Sequence, residues 1–168
     1  MHQREMILRV TSFLVGLIVV AGGMPTGSRQ AKAEGQCHKI NTTQTVVADF
    51  ATFTTDGEIK SGFLKGTTKF TGDQSSLSPI TSTNSPPVEP LTFSYTGNLE
   101  ITTPGGTLTT RSVGVFEGIP FGVGTQFDRV IGGTGLFNGA NGFLFFIFEA
   151  DSTGGAFVSS VSGEVCVN

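Results

Sequence analysis

Val130-Ile131-Gly132-Gly133-Thr134-Gly135-Leu136-Phe137-Asn138-Gly139-Ala140-Asn141-Gly142-Phe143 is the stretch that decides the fold. Glycine and asparagine, the residues that enter left-handed backbone most readily, crowd between two apolar, β-forming runs. The pattern reads as a tight strand-to-strand corner. Gly133-Thr134-Gly135 also begins a dinucleotide-binding loop, but that chemistry needs a helix whose N-terminus meets the pyrophosphate. Here Phe143-Leu144-Phe145-Phe146 follows, which is strand. Gly132, Gly133, Gly135, Gly139 and Gly142 are therefore read as structural turn residues.

Working outward, strands continue on both sides. Phe143 to Phe148 is apolar at both parities, so cover is expected on both faces: the interior on one, a loop or second subunit on the other. Thr153-Gly154-Gly155 leads to a last strand, Ala156 to Cys166. Upstream, Thr125 to Ile131 and Thr107 to Glu117 read as strands separated by the glycine-rich Gly118 to Gly124. Before the Pro104-Gly105-Gly106 turn, Leu91, Phe93, Tyr95, Leu99 and Ile101 share one parity and polar residues the other. That alternation puts one face in a core and one in water. Gln74 to Pro90, rich in Ser, Thr and Pro, reads as a long surface loop. Glu58 to Phe70 reads as one strand, and residues 39–55 as another that ends at an Asp56-Gly57 hairpin. No long window has the i, i+3, i+4 apolar spacing of a helix.

The chain begins with a targeting pattern. Arg4 and Arg9 precede the apolar Val10 to Met24, Pro25 and Gly27 break it, and Ala31-Lys32-Ala33 offers small residues to a signal peptidase. The apolar run is shorter than the roughly 20 residues of a membrane span. The expected organisation is a signal peptide over 1–33 and one β-barrel domain over 34–168, exported to periplasm or medium, with no membrane span after cleavage. Cleavage takes the formal charge from −3 to −6, since Arg4, Arg9, Arg29 and Lys32 leave with only Glu5. An acidic chain with scattered cations has no footprint for nucleic acid. Cys37 and Cys166, at the two ends of that domain, are expected to form one disulfide. Their bond holds the first and last strands within about 7 Å. Seven or so short strands, no helices and tied termini describe a closed antiparallel barrel rather than a sandwich.

Gly132, Gly133, Thr134, Gly135, Phe137, Gly139, Ala140 and Gly142 resemble the GGTGxFxGAxG turn of the allene oxide cyclase and dirigent barrels. Arg111-Ser112-Val113-Gly114-Val115-Phe116 looks like the strand that precedes it there, so the resemblance spans roughly Arg111 to Phe148. It implies an eight-stranded antiparallel barrel, dimeric or trimeric, with an apolar cavity at one mouth. Splitting one long strand reconciles seven with eight. It also implies that reactive intermediates are steered by shape, with few acid–base groups. The matched positions are scaffold positions, and none carries a catalytic role across.

Polar groups on core-leaning strands are the remaining candidates. Tyr95, the only tyrosine, shares the apolar parity of its strand. A buried phenol needs a partner and can donate to a ligand. Arg111 and Glu117 share a parity with Val113 and Val115; inward, they would make an Arg–carboxylate couple, and outward a surface ion pair. Tyr95, Arg111 and Glu117 are thus the catalytic candidates, and Phe93, Phe145, Glu149 and Arg129 the ligand-binding ones. Glu149 ends an apolar strand, as a carboxylate at a cavity mouth or simply where the strand meets water. His38 alone remains for a catalytic triad once the leader is gone, and no free cysteine serves as nucleophile. No metal-ligand spacing occurs, and no cofactor is implied.

Three functions fit. One is a secreted barrel binding a small apolar molecule without chemistry of its own, which predicts an apolar cavity with almost no inward charge. Another is a cofactor-free cyclase-like or dirigent-like barrel orienting a reactive intermediate, which predicts an inward Arg–carboxylate or Tyr–carboxylate pair at the cavity floor. The last is a structural envelope or matrix protein, which predicts a barrel filled by its own side chains.

Overall fold

Alternation of buried and exposed side chains runs along nearly every long strand of a computed structural model, which describes residues 35–80, 92–118, 122–151 and 155–168. The expected leader and its cleavage after Ala33 lie outside these residues, as do Leu91, most of the Ser/Thr/Pro-rich loop and the Thr153-Gly154 step. In chain order the strands are β1 (Gln36–Asp49), β2 (Thr54–Ile59), β3 (Gly66–Gly72), β4 (Ser78–Pro79), β5 (Thr92–Thr103), β6 (Gly106–Glu117), β7 (Val123–Gly133), β8 (Asn141–Ala150) and β9 (Ala156–Val167). The two-residue β4 rides on the start of β5. The other eight close a ring in the order β1-β2-β3-β5-β6-β7-β8-β9, every pairing antiparallel, with β9 returning to β1 and β3 pairing β5. The result is a closed eight-stranded antiparallel barrel, whose closure pairs the edges that Thr- and Phe-rich strands would otherwise expose.

The first hairpin differs from expectation. Asp56-Gly57 lies inside β2, not in a turn, and the chain reverses earlier, over Phe50–Phe53. Asp49 makes that turn by accepting backbone N–H bonds from Ala51 at 2.9 Å and Thr52 at 3.4 Å. Gly57 serves close approach instead, since a Cβ there would run into Thr45 backbone and the Val46 side chain. The Glu58 to Phe70 strand is in fact two, β2 and β3, parted by a turn in which Gly62 takes φ +81°. That division supplies the eighth strand.

One end of the barrel is sealed. After β7 the glycine corner forms a 3-10 turn, Gly135–Phe137, that drives the Phe137 ring into the end of the lumen with no exposed surface. Gly133 must lack a side chain there, because a Cβ would strike the Thr107 carbonyl and Phe137. Ile59, Leu64, Ile101, Leu108, Leu144 and Val165 fill the space around Phe137, each 1% exposed or less. Cys37 and Cys166 face each other across β1 and β9 at this end and are bonded.

Candidate functional site

The opposite end is open. Val46 and Ala48 of β1, Phe70 of β3, Phe146 and Phe148 of β8 and the rim rings Phe50, Phe53, Phe116 and Phe157 wall a cavity of about 100 Å³. The polar residues of its lining are Gln44, Asp49, Thr54, Thr55, Tyr95, Gln126 and Ser159. Rings fit this narrow lumen because glycines on neighbouring strands make room. A Cβ on Gly114 would overlap the Tyr95 ring, and one on Gly72 would overlap Phe53. Phe53, Phe70 and Tyr95 form an edge-to-face trio with centroids 5.8–6.0 Å apart, and Phe116 meets Tyr95 at 5.8 Å. Phe53 holds this place at φ 55°, the left-handed region that a bulky residue occupies only under strain.

Beneath the rings lies a polar chain. The Tyr95 hydroxyl donates to Gln126 Oε1 at 2.8 Å, and Gln126 Nε2 donates to Asp128 Oδ1 at 2.8 Å. Thr110 donates to the other Asp128 oxygen at 2.6 Å, and Ser112 adds a further hydrogen bond. Asp128 has no exposed surface. Burial pushes its carboxyl above the usual range, against the hydrogen bonds from Thr110, Ser112 and Gln126 that pull it down. Burial, with the Asp128 charge behind it, also pushes the Tyr95 phenol well above its ordinary value. Tyr95 therefore keeps its proton at neutral pH and commits it to Gln126. Across the lumen, Gln44 Nε2 donates to Thr68 at 2.7 Å.

Of the residues singled out in the sequence, Tyr95 lines the cavity. Phe93 is half-buried and stacks on Phe116 at 5.5 Å, one ring removed from it. Arg111, Arg129, Phe145 and Glu149 are exposed on the outer wall, and Glu117 shares their parity. The inward Arg111–Glu117 couple does not form. On β6 and β7 the inward parity carries Thr110, Ser112, Gly114, Gln126, Asp128 and Val130, while Val113, Val115, Phe127 and Ile131 face out. Small and polar residues sit inside because the lumen there already holds Tyr95. Gln126, Asp128, Gln44 and Ser159 were not apparent in the sequence; the signal that could have found them is Ser112-x-Gly114 against Gln126-x-Asp128, opposite small and polar pairs.

Cys37, Glu164 and Cys166 offer ligand atoms within 4.8 Å of one another, but both sulfurs are spent in the disulfide.

No family model matches the chain, and no curated protein matches it. Two solved structures of pterocarpan synthase dirigent proteins are similar, at 15% and 13% identity. The matches cover 80% of this chain and 92% and 97% of theirs, each with a TM-score of 0.33. The barrel described above rests on its own strand pairing.

Proposed function

We propose that the protein binds one end of a small, neutral, mostly apolar molecule in the open half of the barrel. The observation that carries this reading is the phenylalanine-walled cavity floored by Tyr95 and Gln126. Its volume, about 100 Å³, lies well below the roughly 300–1,000 Å³ of pockets that enclose a drug-sized ligand. A single ring or a short alkyl end fits, with the remainder emerging past Phe50 and Phe157. Because Tyr95 gives its proton to Gln126, and Gln126 gives its N–H to Asp128, the phenolic oxygen is left to accept. The ligand's buried polar atom is thus a donor, a hydroxyl or an amine. A carboxylate is disfavoured, since among the described residues no lysine or arginine lines the cavity, Asp49 does, and Asp128 lies behind its floor.

The same chain of residues supports binding over acid–base catalysis. Asp128 is separated from the cavity by Gln126, and Tyr95 holds its proton too tightly to pass it on. Asp49, the carboxylate in the lining, is held below its ordinary pKa by hydrogen bonds from Thr52 and Ala51, which makes it a weak base. The leader pattern and the disulfide support a place of action outside the cytoplasm.

The test is calorimetric titration of purified protein with benzyl alcohol, toluene and benzoate. Benzyl alcohol is expected to bind tightest and benzoate weakest, and Tyr95→Phe should erase about tenfold of the preference for the alcohol over toluene. Absence of binding by all three, or tightest binding by benzoate, overturns the reading. Turnover of a bound host compound extracted with the protein would favour the orienting barrel instead.

A further inference from the structure

Across the lumen from Tyr95, β1 and β9 carry a second pair of buried polar side chains. Gln44 of β1 is 5% exposed and Ser159 of β9 is 3% exposed, and the two lie directly opposite each other in the ladder. Both line the cavity. One end of the Gln44 amide is already taken, since its Nε2 donates to Thr68 Oγ1 on β3 at 2.7 Å, over the intervening β2. β2 leaves room for that bond at Gly57, where a Cβ would stand 3.0 Å from Thr68 Oγ1. Thr68 thereby fixes the amide and leaves its carbonyl end over.

Among the described residues, neither Gln44 Oε1 nor Ser159 Oγ meets a hydrogen-bond partner. Yet every side-chain nitrogen or oxygen there that is fully shut off from water has one. The two oxygens therefore open on the cavity and not into packed side chains. Buried polar atoms without partners are costly, so this pair is built to face a group that bonds to it. Its surroundings are apolar: Phe148 lies across from Ser159 on β8, and Val46 is the next inward residue on β1.

We infer that Gln44 and Ser159 form a second polar subsite, and that the ligand carries two hydroxyl groups on a small apolar body. This subsite rests on the ligand site proposed above, to which it adds a second recognised atom. A hydroxyl suits the pair because it accepts from Ser159 Oγ–H and donates to Gln44 Oε1 at once. An ether or ketone only accepts and leaves Gln44 Oε1 unpaired. A charged group would be buried between two neutral side chains, at a cost that neither repays. Three steps round the ring of strands separate β1 from the β5 strand that carries Tyr95. The two hydroxyls thus stand on opposite sides of the apolar body, not on adjacent atoms.

Calorimetric titration with meta- and para-benzenedimethanol tests this, each against the ethylbenzyl alcohol of the same shape. Exchanging the second hydroxyl for a methyl group adds apolar surface, so a plain apolar wall would favour the ethyl compound. At least one diol is expected to bind about tenfold tighter than its ethyl counterpart, which leaves both oxygens unpaired. Ser159→Ala should reverse that order. The free variant should melt no lower than wild type, because the hydroxyl it loses makes no bond within the protein; a serine with a merely structural role would fail this. Ethyl compounds that bind at least as tightly as both diols overturn the inference and leave the apolar site standing. So does a diol preference that survives in Ser159→Ala, or a variant that melts well below wild type. Failure of benzyl alcohol and of all these compounds to bind removes the site itself, and the second subsite with it.

Discussion

At the end of the barrel closed by the glycine corner, Phe137 is wholly buried, while at the other end Phe50 is 51% exposed and Phe53, Phe148 and Phe157 are half-buried. The same residue type fills one end and frames a space at the other. Depth of burial does not come from phenylalanine itself but from what is placed opposite. At the sealed end Leu64, Ile59 and Leu108 converge on Phe137 from three strands or their turns, so the ring meets dense apolar neighbours. At the open end Gln44, Gln126 and Ser159 share the inward face, and the small side chains beside the rings leave a cavity. The sealed end is where stability is concentrated, and the open end is where a ligand can enter.

Removing a ring at each end should separate these roles. Phe137→Ala takes a fully buried ring out of a closed layer and should cost about 3–5 kcal/mol, read by urea denaturation. Phe53→Ala removes a half-buried ring, and because alanine keeps the Cβ that strains φ 55° no backbone strain is released; with the ring only half-buried, about 1–2 kcal/mol is expected. Equal losses at the two sites would break the comparison.

Between the two ends sits Asp128. Asp128→Ala leaves Thr110, Ser112 and Gln126 without their acceptor and should cost about 1–3 kcal/mol. Its pH dependence has a definite sign. The folded carboxyl titrates above its ordinary value of 3.8, so the native state holds the proton more tightly than the unfolded chain. This contribution is complete below about 3.8 and is lost as pH rises through the raised folded value. The stability of wild type relative to Asp128→Asn should therefore fall as pH rises across that window. A difference that grows with pH would mean that the hydrogen bonds, not burial, dominate.

Tyr95→Phe is expected to matter less, about 1 kcal/mol, because it removes one hydrogen bond and leaves a single amide oxygen short of a donor. Thermal melting measures this independently of ligand. No loss would mean that Gln126 finds another donor.

The sequence was legible where one residue type has one use. In β5 the alternation of Tyr95, Leu99 and Ile101 with Thr96, Asn98 and Glu100 marks the buried face, and the structure follows it. The glycine corner reads as a turn because few other residues reach its dihedral angles. Elsewhere one signal had two meanings. Asp56-Gly57 is a common hairpin pair, yet Gly57 is needed for the close passage of β1. On β6 and β7, parity tells which residues share a face but not which face is inward. Val113, Val115, Phe127 and Ile131 have the greater hydrophobicity, but the lumen selects by volume, and Tyr95 from β5 already occupies it against Gly114. The candidate site was hidden for that reason: its floor is polar, and it lies on the parity that looks like an outside.

The smallest effect expected on stability belongs to Phe50, at the outermost rim. Its ring is 51% exposed and makes one edge contact, to Phe157 at 6.3 Å. Phe50→Ala should lower stability by less than about 1 kcal/mol, since little apolar surface returns to water. The same ring stands over the cavity entrance, so its removal should shorten the residence of bound benzyl alcohol without changing the preference for it over benzoate. That preference is set deeper, by Tyr95 and Gln126. Line-shape analysis of the bound ligand by NMR measures the dissociation rate directly. Faster release with the selectivity intact would assign entry to the rim and recognition to the floor. Altered selectivity would mean that rim and floor act as one surface, and the open end would then have no division of labour of its own.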